Sequence, residues 1–82
     1  MQAQVDIPAL VRAIRKSRGL TQEQLARELG VTFSTVNGWE NGKHRPLPFL
    51  VRTLSEIAGK LGLEIPEMRE DAESGARTAR RS

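Results

Sequence analysis

Apolar residues in this chain recur in helical steps. Ile7, Leu10, Val11 and Ile14 lie at i, i+3, i+4 and i+7, the spacing of one helix face. Asp6 is placed to cap that helix, Ile7 and Pro8 open it, since a first turn tolerates proline, and Gly19 stops it. A second helix is announced by Thr21-Gln22-Glu23-Gln24, a threonine followed three residues later by a glutamine, which is a capping-box pattern. It turns Leu25, Ala26 and Leu29 inward and ends at Gly30, where glycine supplies a left-handed position. Thr32 caps a third, short helix that runs to Glu40 or Asn41, with Val36 and Trp39 three apart on its inner face and Gly42 as terminator.

Two prolines, Pro46 and Pro48, force extended backbone on the residue before each, so residues 43–48 read as a loop. A fourth helix starts near Pro48, directs Leu50, Leu54, Ile57, Ala58 and Leu61 to the core, and ends at Gly62. Past Ile65 apolar residues become scarce. The run PEMREDAESGARTARRS admits a single helical turn near 66–72 and is otherwise expected to be disordered. The expected organisation is therefore one domain over residues 1–65 and a charged tail over 66–82, with no internal repeat.

Composition agrees with a small all-α domain. In 82 residues with 38% hydrophobic content and three aromatics, the core must come mainly from Leu, Ile, Val and Ala. The absence of cysteine excludes a disulfide framework and a thiolate zinc site, and one histidine makes no metal cluster. No metal or cofactor is expected. No nucleophile–base pair and no phosphate-cradling glycine loop is visible, so an enzyme is not expected either. No apolar run approaches a membrane span and MQAQVDIP lacks the regions of a signal peptide, which points to a cytoplasmic protein without a membrane partner. The net charge is +3, unevenly spread. Residues 1–60 carry nine Lys or Arg against five acids, residues 64–73 five acids against Arg69, and the last nine residues add Arg77, Arg80 and Arg81. A basic body suits a polyanion partner, or is simply a basic soluble surface.

The second and third helices are joined by so few residues that they must meet steeply. Ala26 allows close approach, Gly30 makes the turn, Val36 plugs the junction, and Trp39 follows as a further apolar position. Ala-x3-Gly-x5-Val at this spacing is the pattern of a DNA-binding helix-turn-helix. The run LTQEQLARELGVTFSTVNGWENGKHRP, residues 20–46, resembles the Xre family, the phage Cro and repressor-like helix-turn-helix domains, and the resemblance extends over about residues 7–63. It implies an all-α, lambda-repressor-like fold: a compact bundle of four or five short helices, non-enzymatic, that binds double-stranded DNA, commonly as a dimer on a two-fold site.

Carried over residue by residue, the resemblance gives Gln22 a phosphate contact at the start of the second helix, where free amides and the dipole also attract anions. The alternative is a simple exposed glutamine. Asn41, Lys43 and Arg45 match the loop that grips the DNA backbone, or else form a solvated loop; His44 reads as a surface residue between them. Arg15 and Glu40 match positions that pair beneath the recognition helix, which makes Glu40 structural, with Ala26, Gly30, Val36 and Trp39 as further support. The first turn of such a helix enters the major groove. Phe33, Ser34, Thr35 and Asn37 are then the base-reading candidates, by methyl contact, hydroxyl or amide, although Phe33 is equally suited to the core.

With Val36 inward, steps of about 100° per residue put Ser34 and Gly38 almost opposite it. Gly38 departs from the family, whose members usually carry a long polar reader there. Either the glycine lets the backbone approach DNA closely, or the domain reads few bases and relies on phosphates. The expected function is a sequence-specific transcriptional regulator, most simply a repressor that is nucleoid-associated through its DNA. Eighty-two residues leave no room for a ligand domain, so control would come through partners, dimerisation or abundance. The alternative is an antitoxin or DNA-targeting adapter that binds a protein through the fourth helix or the tail. Leu63, Ile65 and Met68 are the apolar residues available for a homodimer, and a monomer that dimerises only on DNA is expected.

Overall fold

A computed structural model describes residues 4–68. They form four helices: α1 (Ile7–Arg18), α2 (Gln22–Leu29), α3 (Phe33–Glu40) and α4 (Pro48–Lys60). Each boundary has a local cause. The Asp6 carboxylate accepts from the amide of Ala9 at 3.2 Å. Thr21 and Gln24 close a reciprocal capping box, with amide-to-side-chain bonds of 3.0 and 2.9 Å. Thr32 Oγ1 accepts from the amide of Thr35 at 3.1 Å. Gly30, at φ 76°, ends α2 and lets the amide of Val31 return to the carbonyl of Ala26 at 3.0 Å, which makes the short turn into α3.

One core joins the four helices. Ile7, Leu10, Val11 and Ile14 from α1 meet Leu25 and Ala26 from α2, Val36 and Trp39 from α3, and Leu54 and Ala58 from α4, all buried. Helix α3 packs on both α1 and α2, and α4 covers α1 from another side. Leu29, Leu50 and Ile57 are half-buried at the margin.

Leu61 does not face the core as its spacing suggested. It is the cap residue after α4, at the edge of exposure, because the helix has already ended at Lys60. The amide of Leu63 instead bonds the carbonyl of Ala58 at 2.9 Å, and Leu63 folds back onto the core. The chain after Ile65 also differs from the helical turn admitted near 66–72. Over 66–68 it pairs instead with the N-terminal segment: the Asp6 amide donates to the Pro66 carbonyl at 2.9 Å and the Met68 amide to the Gln4 carbonyl at 2.8 Å, around an isolated antiparallel Val5–Glu67 bridge. A proline at 66 disfavours helix in the residue before it, and the free edge of residues 4–6 offers the backbone partners. The remainder of that stretch lies outside the described residues, as does most of the 66–82 tail.

Truncating Trp39 to alanine is expected to cost about 3–5 kcal/mol of folding stability, because the whole residue is buried in the core. Leu61→Ala is expected to stay within about 0.5 kcal/mol. Chemical denaturation of the two variants separates these outcomes.

Candidate nucleic-acid interface

The interface is built outward from one buried acid. Glu40, at the last position of α3, is 4% exposed and is the buried charged residue among those described. Arg15 from α1 holds its carboxylate with two bonds, Nε to Oε2 at 2.6 Å and Nη2 to Oε1 at 3.0 Å. The same guanidinium spends Nη1 on the Leu20 carbonyl at 3.0 Å, tying down the α1–α2 turn. Gln22, the first residue of α2, donates Nε2 to Oε1 at 3.0 Å. Arg12 donates Nη2 to the Glu40 backbone carbonyl at 3.0 Å, and its Nε lies 3.7 Å from Oε1.

Burial by itself pushes the Glu40 carboxyl up. The hydrogen bonds from Arg15 and Gln22, then the charges of Arg15 and Arg12, outweigh it and hold the group below its ordinary value. The bond to Glu40 in turn raises Arg15.

Arg12 was not singled out from sequence. Its signal was its position three residues before Arg15, on the same side of α1. For Gln22, the family resemblance suggested a phosphate contact. Here one hydrogen of its amide is committed to Glu40, which fixes the side chain at the α2 N-terminus and leaves the other hydrogen and the helix-start amides as donors.

The outer side of α3 divides among the base-reading candidates. Phe33 is 49% exposed, so the core does not take it. Ser34 is exposed, and Asn37 is half-buried. Thr35 is half-buried, with its hydroxyl 2.9 Å from that of Thr32 and its amide on the same cap, so its oxygen is already engaged. Asn41 and Lys43 are exposed at the opposite end of the helix. Arg45 is exposed too, and it donates Nη1 to the Val5 carbonyl at 3.2 Å. That contact leaves four of its five N–H groups unaccounted for by Val5. The structure thus groups Gln22, Phe33, Ser34, Asn37, Asn41 and Lys43 about α2 and α3, and draws Arg45 toward the N-terminal segment.

Gly38 is buried although it points away from Val36. What covers it is the imidazole of His44, which is not the simple surface residue expected from its place in the loop. Neither account of this glycine from sequence included that neighbour. The signal was available in Gly42, since a left-handed residue after a helix turns the chain back over its last turn.

The family model described as Helix-turn-helix matches residues 11–68, which include all of α2, α3 and the loop behind them. The chain belongs to the Xre-like helix-turn-helix family. Helix-turn-helix modules serve DNA-binding transcription regulation, with the second helix of the motif as the recognition element. The helix-turn-helix chain is also similar to an uncharacterized HTH-type transcriptional regulator from Methanothermobacter thermautotrophicus, with 38% identity over 55 residues, 67% of this chain and 80% of the relative. No solved structure matches it significantly. Among the described residues no helix is long and apolar enough to cross a membrane.

The lowered Glu40 value sets a pH dependence. Its network adds stability above the ordinary glutamate range and loses it as pH falls through the lower folded value, because the unfolded chain takes up the proton first. Wild-type stability should therefore fall below about pH 4, and Glu40→Gln should flatten that part of the curve. At neutral pH, Glu40→Ala is expected to cost about 3 kcal/mol, since it strands donors of Arg15 and Gln22. Denaturant titrations from pH 3 to 7 check both statements.

Proposed function

We propose that this protein is a sequence-specific double-stranded DNA-binding repressor that places α3 in the major groove of an operator and so blocks access to the promoter. The observation that carries the reading is the division of α3 into two sides. Val36 and Trp39 are sealed in the core and Glu40 is fixed by two other helices, while Phe33 and Ser34 at the N-terminal end stand open to solvent. A helix clamped from behind with its first turn free is the arrangement that major-groove reading requires.

Phe33 then meets a thymine methyl, and Ser34 and Asn37 bond base edges, while Thr35 contributes if its hydroxyl is shared with Thr32. Gln22, Asn41, Lys43 and Arg45 contact phosphates and fix the register. Occupancy is regulated through partners, dimerisation or abundance. The protein is a monomer in solution and pairs on a two-fold DNA site. Leu63 and Ile65 favour this view, because both are packed against the monomer's own core and leave Met68 as the exposed member of the three candidates. On this reading the protein resides in the cytoplasm, on the nucleoid.

A second reading, an antitoxin or DNA-targeting adapter with a protein partner on α4, is favoured by one feature. Leu47 and Phe49, flanking Pro48 at the start of that helix, are 62% and 63% exposed. Selection from random duplexes at two salt concentrations tests the first reading. A palindromic consensus supports a dimeric specific reader; no duplex binding at low salt overturns it and leaves only an antitoxin that acts through its protein partner.

Lys43→Ala is expected to weaken all duplexes alike and to reduce the slope of log affinity against log salt by about 1. Ser34→Ala is expected to alter preference at a particular base pair with the salt slope unchanged. Fluorescence anisotropy with a panel of duplexes reads both.

A further inference from the structure

The outer side of α3 carries a group that the helix itself does not supply. The helix closes with a chain reversal: Gly42 is left-handed at φ 71°, its amide donates to the Trp39 carbonyl at 3.3 Å, and the amide of Lys43 donates to the Gly38 carbonyl at 2.9 Å. The next residue, His44, is thereby returned over the very residue whose carbonyl Lys43 has bonded. Its imidazole comes to rest on Gly38. A Cβ built at position 38 would lie 2.8 Å from ring atoms Cδ2 and Cε1 and collide with Nε2, so any side chain there must displace the ring. The loop is held from its other end as well, by buried Pro46 and by the Arg45 bond to the Val5 carbonyl.

The seat lies one helical turn beyond Ser34, on the same side of α3. It is therefore in line with the residues that the proposed function sends to the bases. With Nε2 turned toward the glycine, Nδ1 lies on the far side of an exposed ring. An imidazole nitrogen can donate to or accept from the major-groove edge of a purine.

We propose that His44 is a base-contacting residue, and that Gly38 is glycine because the reader of this position arrives from the loop. The proposal rests on the DNA-binding reading given above. It replaces the thin readout expected from a missing side chain with a reader borrowed from six residues downstream.

The test measures affinities of wild type, His44→Ala, Gly38→Ala and the double variant on the selected consensus and on duplexes changed at one base pair each. His44→Ala should lose about tenfold of discrimination at one purine-bearing pair and leave the other pairs in order. Gly38→Ala should lose discrimination at that same pair, even though alanine is the better helix residue, and thermal unfolding verifies that it is folded. The double variant should be no worse than either single one. The proposal is overturned if His44→Ala keeps the wild-type preference, if it weakens all duplexes equally, or if Gly38→Ala reads that pair as wild type does. A wild-type protein that selects no consensus removes the sequence-specific reading and this proposal together, whereas a consensus untouched by His44→Ala removes the proposal alone.

Discussion

An acid at the C-terminal end of a helix works against the helix dipole, and burying it adds a desolvation cost. Glu40 does both, so its position is tolerable only because partners converge on it. Arg15 neutralises the carboxylate, Gln22 adds a hydrogen bond, and Arg12 covers the helix-terminal carbonyl. These partners come from two other helices. The cost of burying one carboxylate is thus offset by groups that fix α1, the start of α2 and the end of α3 against each other. A hydrophobic contact at this point would hold the helices together but would tolerate sliding. The bidentate Arg15–Glu40 geometry does not.

This clamp complements the apolar packing behind it. Val36 and Trp39 hold α3 against the core, but apolar contacts alone are indifferent to small rotations about the helix axis. Directional bonds at Glu40, whose donors Arg15 and Gln22 belong to other helices, restrict that freedom. The outer residues of α3 are then held in a fixed relation to Gln22 on α2, which a rigid surface for reading a nucleic acid needs. The loop after α3 is fastened with similar economy, through Lys43 to Gly38 and Arg45 to Val5.

What was legible in the sequence is what is decided locally. The Thr21–Gln24 box, the Asp6 and Thr32 caps and the left-handed glycines depend on residues three or four apart, so spacing alone finds them. The inner residues of α1 and α3 were equally readable, because a buried stripe repeats with the helix. Contacts between distant segments leave no mark in the spacing, and the Arg15–Glu40 pair is expected only through the family resemblance. Arg12 and Glu40 are 28 residues apart, Arg45 and Val5 are 40 apart, and neither separation leaves a periodic trace. Leu61 followed the helical spacing of α4 yet lay past its end, where the pattern no longer governs direction. For the candidate site, the reading helix and its core-facing residues could be found from sequence, and the expected gap at Gly38 was visible there. The ring that fills the gap was not, because it depends on how the loop folds back.

On the proposed function, α2 and α3, braced at Glu40, present one continuous surface to duplex DNA. Backbone amide chemical shifts followed during titration with a duplex test it most directly. The largest changes are expected to cluster at Gln22, Phe33 to Asn37 and Asn41 to His44, with Leu47 to Val51 little affected. Changes confined to Leu47 and Phe49 at the start of α4, with the outer residues of α3 unmoved, would contradict it.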